Sequence, residues 1–264
     1  SRYEITTEQW ERIKDLLPSP HKGKGRPAKD NRMMLNGMMW IARSGAQWRE
    51  LPEKYGPWQR VTEGVLESVF KALSEDADME NLSIDQRQSE YIRVPTGEKL
   101  KNKAVGISRG GRTTKIHAVV DGLGNPVEFL LSQGNNHDSA HAIELLSKID
   151  ISKSNILGDK AYGSKAIREY ITEQGTVYTI PPRSCNSEQW FCDWWTYKER
   201  HLIECFFQKI KWFRRVATRY DKSDSAFLGF VYLASISVLL ISTNGFIFQT
   251  SPNFCFFFAK ANMI

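Results

Sequence analysis

Apolar positions along this chain change period as the sequence proceeds, and the changes divide it. At the start they recur at helical spacing, with Trp10, Ile13, Leu16 and Leu17 on one face behind Thr6 and Gln9, whose separation is that of a capping box. Pro18 and Pro20 end that helix. A second helix is expected from Asp30, burying Met34, Leu35, Met38, Met39 and Ile41 before Gly45 closes it, and a third over 61–73. From Leu82 the period shortens. Segments 114–121 and 126–132 read as strands joined by Gly122-Leu123-Gly124-Asn125, a hairpin signal. Helix and strand then alternate: a helix over 138–149, a buried strand ending at Asp159, a helix over 164–174, and a strand over 176–180 stopped by Pro181-Pro182. A further helix runs on from Tyr197 with Leu202, Ile203, Phe206, Ile210 and Phe213 as its inward stripe. The order predicts an α/β fold, a mixed sheet covered by helices, behind an N-terminal all-α module. Three short helices with tight turns suit either a helix-turn-helix-like DNA-binding unit or an ordinary three-helix bundle.

The last apolar stretch, 227–248, raises the question of a membrane span. Ser235, Ser237, Ser242, Thr243, Asn244 and Gly245 interrupt it, so a buried core helix ending near Ile241 is expected and no membrane partner. With 264 residues, 41% hydrophobic and 12% aromatic, the chain can bury a sizeable core, which excludes a disordered chain. Lys and Arg number 36 against 30 Asp and Glu, a net charge of +6 that favours a polyanionic partner. The basic residues gather at 21–32, 99–115 and 209–222. Four cysteines without a CxxC pair argue against a zinc finger and for a reducing cytoplasm, and the polar, helix-like 1–17 does not read as a secretory signal.

Tyr197, Arg200, Glu204 and Lys211 carry the first chemical signal, because a helix turning 100° per residue gathers them within an arc of about 60°. Two aspartates end apolar strand-like runs upstream, Asp85 after Leu82-Ser83-Ile84 and Asp159 after Ile156-Leu157-Gly158. Three converging carboxylates would bind hard divalent cations, Mg²⁺ or Mn²⁺, as a pair of ions about 3.5 to 4 Å apart suited to phosphoryl transfer. Asp85 would bridge the ions, with Asp159 and Glu204 each completing one. Taken singly, an Asp after a strand also reads as a turn residue or helix cap, and a helical Glu as a solvated side chain. Lys211 could reach a phosphate, and Arg200 could pair with Glu204 or a backbone oxygen. Arg214, Arg215, Arg219 and Lys222 extend the cationic side, or form a solvated basic helix end.

The run from Tyr197 to Lys211 matches the Tyr-(2)-Arg-(3)-Glu-(6)-Lys signature of bacterial insertion-sequence DDE transposases. The segment from Arg214 to Lys222 resembles the block on the C-terminal side of that signature in the insertion-sequence-five family. Asp159-Lys160-Ala161-Tyr162 resembles the family's second-aspartate motif, Ser83-Ile84-Asp85 its first, and Arg109-Gly110-Gly111-Arg112-Thr113-Thr114-Lys115 its intervening basic turn. Arg26-Pro27, Trp48-Arg49-Glu50-Leu51-Pro52 and Tyr55-Gly56-Pro57-Trp58 are similar to its N-terminal DNA-binding region. The likeness runs from Tyr3 to about Leu240.

This resemblance implies an RNase H-like catalytic domain over 79–242, a helical DNA-binding module over 1–78, and an atypical apolar tail over 243–264. It implies Asp85, Asp159 and Glu204 as catalytic metal ligands, with Tyr197 in support. DNA contacts would come from Lys22, Lys24, Arg26 and Lys29, from Arg109, Arg112 and Lys115, and from Arg200, Lys211, Arg214, Arg215 and Arg219. The implied partners are double-stranded DNA, as terminal inverted repeats and target, and a second copy of the chain in a homodimer. No small-molecule substrate is implied, and the expected setting is the cytoplasm at the nucleoid. Gln86 and Arg87 stand where relatives carry small hydroxyl residues. The sequence is thus open to three readings: an active transposase, a degenerate relative that only binds DNA ends, and a metal-dependent nuclease without strand transfer.

Overall fold

The computed structural model describes residues 3–18, 30–55, 65–92, 104–108, 111–186 and 188–242. Helix α1 (Thr7–Ile13) starts at the expected capping box: the Thr6 hydroxyl accepts from the Gln9 N–H, and the Gln9 side chain accepts from the Thr6 N–H. Helix α2 (Asn31–Ser44) begins at Asp30, whose carboxylate accepts from the Arg32 and Met33 N–H groups, and ends at Gly45. Gly45 has φ +74°, a left-handed cap that glycine adopts without steric cost. Helix α3 (Val65–Leu73) completes the module; the expected start of that helix, 61–64, lies outside the described residues.

Strands β1 (Asn81–Tyr91), β2 (Gly106–Ser108), β3 (Gly111–Val120) and β4 (Pro126–Gln133) come next. The β3–β4 turn is fixed by Asp121, whose Oδ1 accepts from the Leu123 and Asn125 N–H groups at 2.9 and 2.7 Å. The alternating half comprises α4 (Ala142–Leu146), β5 (Asn155–Leu157), α5 (Lys165–Glu173) and β6 (Val177–Thr179). The chain closes with α6 (Trp194–Tyr197), α7 (His201–Lys211), α8 (Arg214–Ala217), β7 (Thr218–Arg219) and α9 (Asp224–Ser242).

The main sheet runs β4-β3-β1-β5-β6, antiparallel from β4 to β1 and parallel from β1 to β6. β2 adds to β3, and β7 pairs with the far end of β1. A central first strand with an antiparallel hairpin on one side and parallel strands on the other is the RNase H-like arrangement, so the expected α/β fold is confirmed. β1 is longer than its apolar start, 82–84, suggested: its polar half pairs with β3 from Arg87↔Ile116 to Glu90↔Thr113.

Side chains alternate across a strand, and here the alternation separates two cores. Leu82 and Ile84 of β1, with Val119 and Ile156, pack under α4 and α5. Ile116, Ala118, Val120 and Phe129 pack on the other face against Ile203, Phe206 and Ile210 of α7 and against α9. That second core also takes in Ile13, Leu35, Met38 and Ile41 from α1 and α2 and Val69 and Phe70 from α3. The division at residue 78 therefore separates the helical module from the sheet in sequence but not in space, because the described residues of α1 to α3 share one core with β3, β4, α7 and α9. Helix α9 is long and apolar enough to cross a membrane, with a mean hydropathy of 1.9 over Asp224–Ile241, yet 67% of that window is buried inside the protein. It serves as the core helix the interrupting serines predicted, and Ser235 satisfies its hydroxyl by donating to the Val231 carbonyl at 2.8 Å.

Candidate active site

Strand parity selects the site. Because Leu82 and Ile84 face α4 and α5, Ser83 and Asp85 face the α7 side of the sheet. β5 runs parallel to β1 with Leu157 opposite Ser83, so two residues further on Asp159 emerges beside Asp85 where the strand ends. Gly158 permits that approach: a Cβ there would meet the Ile84 Cγ2 and the Tyr162 Cβ at 3.3 Å. The turn at the end of β5 holds Asp159, whose Oδ1 accepts from the Ala161 N–H at 2.7 Å and whose carbonyl accepts from the Tyr162 N–H at 3.0 Å.

Glu204 sits in the first turn of α7 on its polar side, its side chain 54% exposed. Between it and Asp85 lies Arg200. Its Nη1 donates to Asp85 Oδ2 at 2.9 Å, and its Nη2 donates to Glu204 Oε1. The Tyr197 ring lies 5.9 Å from the Arg200 guanidinium. Burial pushes the Tyr197 hydroxyl up, against the opposing pull of Arg200, with Asp159 adding to the rise.

Tyr197, Arg200, Asp85, Asp159 and Glu204 thus come together. They do so from a broken helix, not the continuous one expected: Tyr197 ends α6, a 3₁₀ turn covers Lys198–Arg200, and α7 begins at His201. A polar ladder missed by sequence reasoning holds the break. Asn81 donates to Glu199 Oε2 at 3.0 Å, Asn155 donates to Asn81 Oδ1 at 3.2 Å, and Thr179 donates to Asn155 Oδ1 at 3.0 Å. Three strands of the sheet therefore locate the turn that carries Arg200. Only Asn81 and Asn155, at facing strand positions, could have signalled it.

The donor set is all carboxylate oxygen, the chemistry Mg²⁺ or Mn²⁺ requires. Among the described residues no three acidic or histidine side chains stand close enough to hold one ion; the space between Asp85 and Glu204 is taken by the guanidinium, itself a stand-in cation. Burial raises the pKa of Asp85 above its ordinary value; the Gln86 N–H and Arg200 oppose the rise, and Asp159 and Glu204 add to it. Arg200 is held above its ordinary value, the pull of burial being outweighed by Glu204 and Asp85. A guanidinium already lies between two of these carboxylates, so the oxygen donor set is one that a divalent cation could take.

The expected DNA contacts divide by exposure. Arg112, Lys211 and Arg214 are exposed. Lys115 is buried, its ammonium donating to the Asn136 carbonyl at 2.7 Å. Arg215 is buried and donates to the Ala46 carbonyl at 2.7 Å, with Asp221 at 3.5 Å. Arg219 is fully buried and binds Thr114, Asp224 and the Asp221 carbonyl. These three side chains are turned into the protein, which corrects their assignment to a DNA-facing surface: α8 and β7 lie where α2, β1 and α9 meet, and the guanidiniums satisfy polar groups there. Arg87, on the Asp85 face of β1, is half-buried, and burial alone pulls its pKa down. Lys22, Lys24, Arg26, Lys29, Arg109 and the tail 243–264 lie outside the described residues.

Residues 5–67 match the family described as "Putative transposase of IS4/5 family", and residues 88–189 match "Transposase DDE domain". The second match contains Asp159 and stops short of Asp85 and Glu204. The chain is 39% identical over 132 residues to the "Putative transposase for insertion sequence element IS6501" of Brucella ovis, covering 48% of this chain and 98% of that protein. It is 32% identical over 114 residues to the "Insertion element IS402 uncharacterized 16.2 kDa protein" of Burkholderia cepacia, covering 36% of this chain and 78% of that one. Among solved structures it is similar to piggyBac transposase in a synaptic complex with hairpin DNA, at 11% identity and a TM-score of 0.47, over 67% of this chain and 50% of that chain.

Proposed function

The chain belongs to the DDE transposases of bacterial insertion sequences, and from that premise we propose that it cleaves DNA at the ends of its element and joins the freed 3′ hydroxyl to target DNA. What supports the proposal is that Asp85 lies near enough to Asp159 and Glu204 for their charges to act on it, with Arg200 joining Asp85 to Glu204 on the same side of the sheet. Asp85, Asp159 and Glu204 are the residues that would hold the metal. When bound, Mg²⁺ or Mn²⁺ supplies Lewis-acid stabilisation of the attacking and leaving oxygens.

The chain's own residues do the rest. The β5–β1 register places Asp85 on its strand and Asp159 in the turn just past β5, while α7 brings Glu204 across the face. Exposed Arg112, Lys211 and Arg214 would bind flanking phosphates, a sequence-independent contribution that fixes register on the duplex. Reading of the terminal repeats falls to the N-terminal helices and to Lys22, Lys24, Arg26 and Lys29. Two protomers would hold two ends, and the reaction would take place in the cytoplasm at the nucleoid.

A second reading, a relative that binds ends without cutting, draws on Arg87, a half-buried cation on the same strand face as Asp85. One assay separates them. DNA bearing the inverted repeats is incubated with Mg²⁺ or Mn²⁺ and the parent, Asp85→Asn, Asp159→Asn or Glu204→Gln. The proposal expects nicks at the element boundary from the parent and none from the variants. End binding without nicks by a folded parent would establish the second reading.

A further inference from the structure

Arg200 stands between two of the three candidate carboxylates. Its two terminal nitrogens reach two different carboxylates on two different elements, Asp85 on β1 and Glu204 on α7. Its side chain is only 19% exposed and Asp85 only 21%, so the contact is largely shielded from water and from salt. The 3₁₀ turn that carries it is tied to the sheet through Glu199, Asn81 and Asn155, and Tyr197 lies against it. This is a built position for a guanidinium, not a surface side chain that happens to find an acid.

A guanidinium is all donors, and a carboxylate oxygen turned toward it is withdrawn from an incoming ion. We propose that Arg200 is the resident counter-ion of the metal-free protein, that it excludes divalent metal from the Asp85–Glu204 pair until it withdraws, and that the anion drawing it away is a phosphate of bound DNA. The inference rests on the carboxylate site of the proposed function and adds its regulation. Arg200 in the resting state keeps Asp85 and Glu204 from repelling one another. On DNA the same fork turns to a phosphate, opening the pair. DNA and metal then each raise the affinity for the other, since the coupling between two ligands is reciprocal.

The test is calorimetric titration of Mn²⁺ into the full chain without DNA, for the parent, Arg200→Gln, Arg200→Lys and Asp85→Asn. The structure leads us to expect Mn²⁺ to bind Arg200→Gln about tenfold or more tightly than the parent, the scale of one charge-assisted hydrogen bond that the ion no longer has to displace. Lys cannot fork to both carboxylates, so Arg200→Lys should fall between them and carries the test if the Gln variant does not fold. A short end duplex should tighten Mn²⁺ binding to the parent and have much less effect on Arg200→Gln. Equal or weaker Mn²⁺ binding by both Arg200 variants would overturn the inference. Mn²⁺ binding unaffected by Asp85→Asn would instead overturn the carboxylate site itself.

Discussion

Replacement of Arg219 by alanine distinguishes a structural arginine from a DNA contact. Arg219 is 0% exposed. Its Nε donates to the Asp221 carbonyl at 3.0 Å, its Nη1 to Thr114 Oγ1 at 2.9 Å, and its Nη2 to Asp224 Oδ1 at 2.7 Å. The guanidinium carbon lies 5.0 Å from the Phe227 ring centre and 5.7 Å from that of Tyr91. Arg219→Ala leaves Asp224 without its buried counter-charge, strips a donor from Thr114 and opens a cavity against Phe227. Asp224 is itself 31% exposed, so the cost comes mainly from three lost hydrogen bonds and the packing of a fully buried side chain, together about 3–5 kcal/mol, a large share of the roughly 5–15 kcal/mol that holds a domain folded. At roughly 2–4 °C per kcal/mol for a chain of this size, Tm should fall by about 6–20 °C. Arg219→Lys, which keeps the charge and loses part of the fork, should fall less. The assay is thermal unfolding by circular dichroism, with DNA affinity measured on the folded protein over a salt series. A variant that melts within about 2 °C of the parent and binds DNA more weakly with a shallower salt dependence would refute the reasoning and return Arg219 to the DNA surface.

Asp85→Asn should stabilise the metal-free protein at neutral pH. Burial raises the Asp85 pKa above 3.8 in the fold, so the folded state binds its proton more tightly than the unfolded one; the ionised carboxylate costs stability above the folded pKa, and that cost vanishes below 3.8. The Tm advantage of the variant, measured in chelator, should therefore shrink as pH falls through the carboxylate range, and an advantage that grows would contradict the sign. Replacing the exposed Lys211 and Arg214 together by alanine should leave Tm within about 2 °C while lowering the slope of log affinity against log salt by about two. An unchanged slope would remove both from the phosphate-facing set.

Much of this architecture was legible because local chemistry and global fold agree. Thr6 with Gln9, Asp30, Gly45 and the Asp121 turn mark their element ends by hydrogen bonds made within a few residues. Strand-like runs on either side of Gly122-Leu123-Gly124-Asn125 identified β3 and β4, and the parity of Leu82 and Ile84 gives the direction of Asp85. The hidden features depend on partners far away in sequence. β1 extends through Gln86–Glu90 only because β3 pairs with it. The 198–200 break consists of good helix formers and exists because Asn81 captures Glu199 across 118 residues. A basic run reads alike whether solvated or buried, and Arg215 and Arg219 take Ala46 and Thr114, 169 and 105 residues distant. The helical module looked separable because its own apolar faces suffice for a small bundle; only the structure brings α9 and α7 into the same core.

The most direct test of a single site for cutting and joining is a joining reaction started from a pre-nicked element end. That substrate already carries the 3′ hydroxyl, so it bypasses the hydrolytic step and asks whether the same three carboxylates perform strand transfer. With Mn²⁺ and a supercoiled target, the parent should yield end–target joint molecules, and Glu204→Gln, still folded and still binding the end, should yield none. Joint molecules made equally well by Glu204→Gln, or nicked ends that are never joined by an active parent, would contradict a single site for both steps.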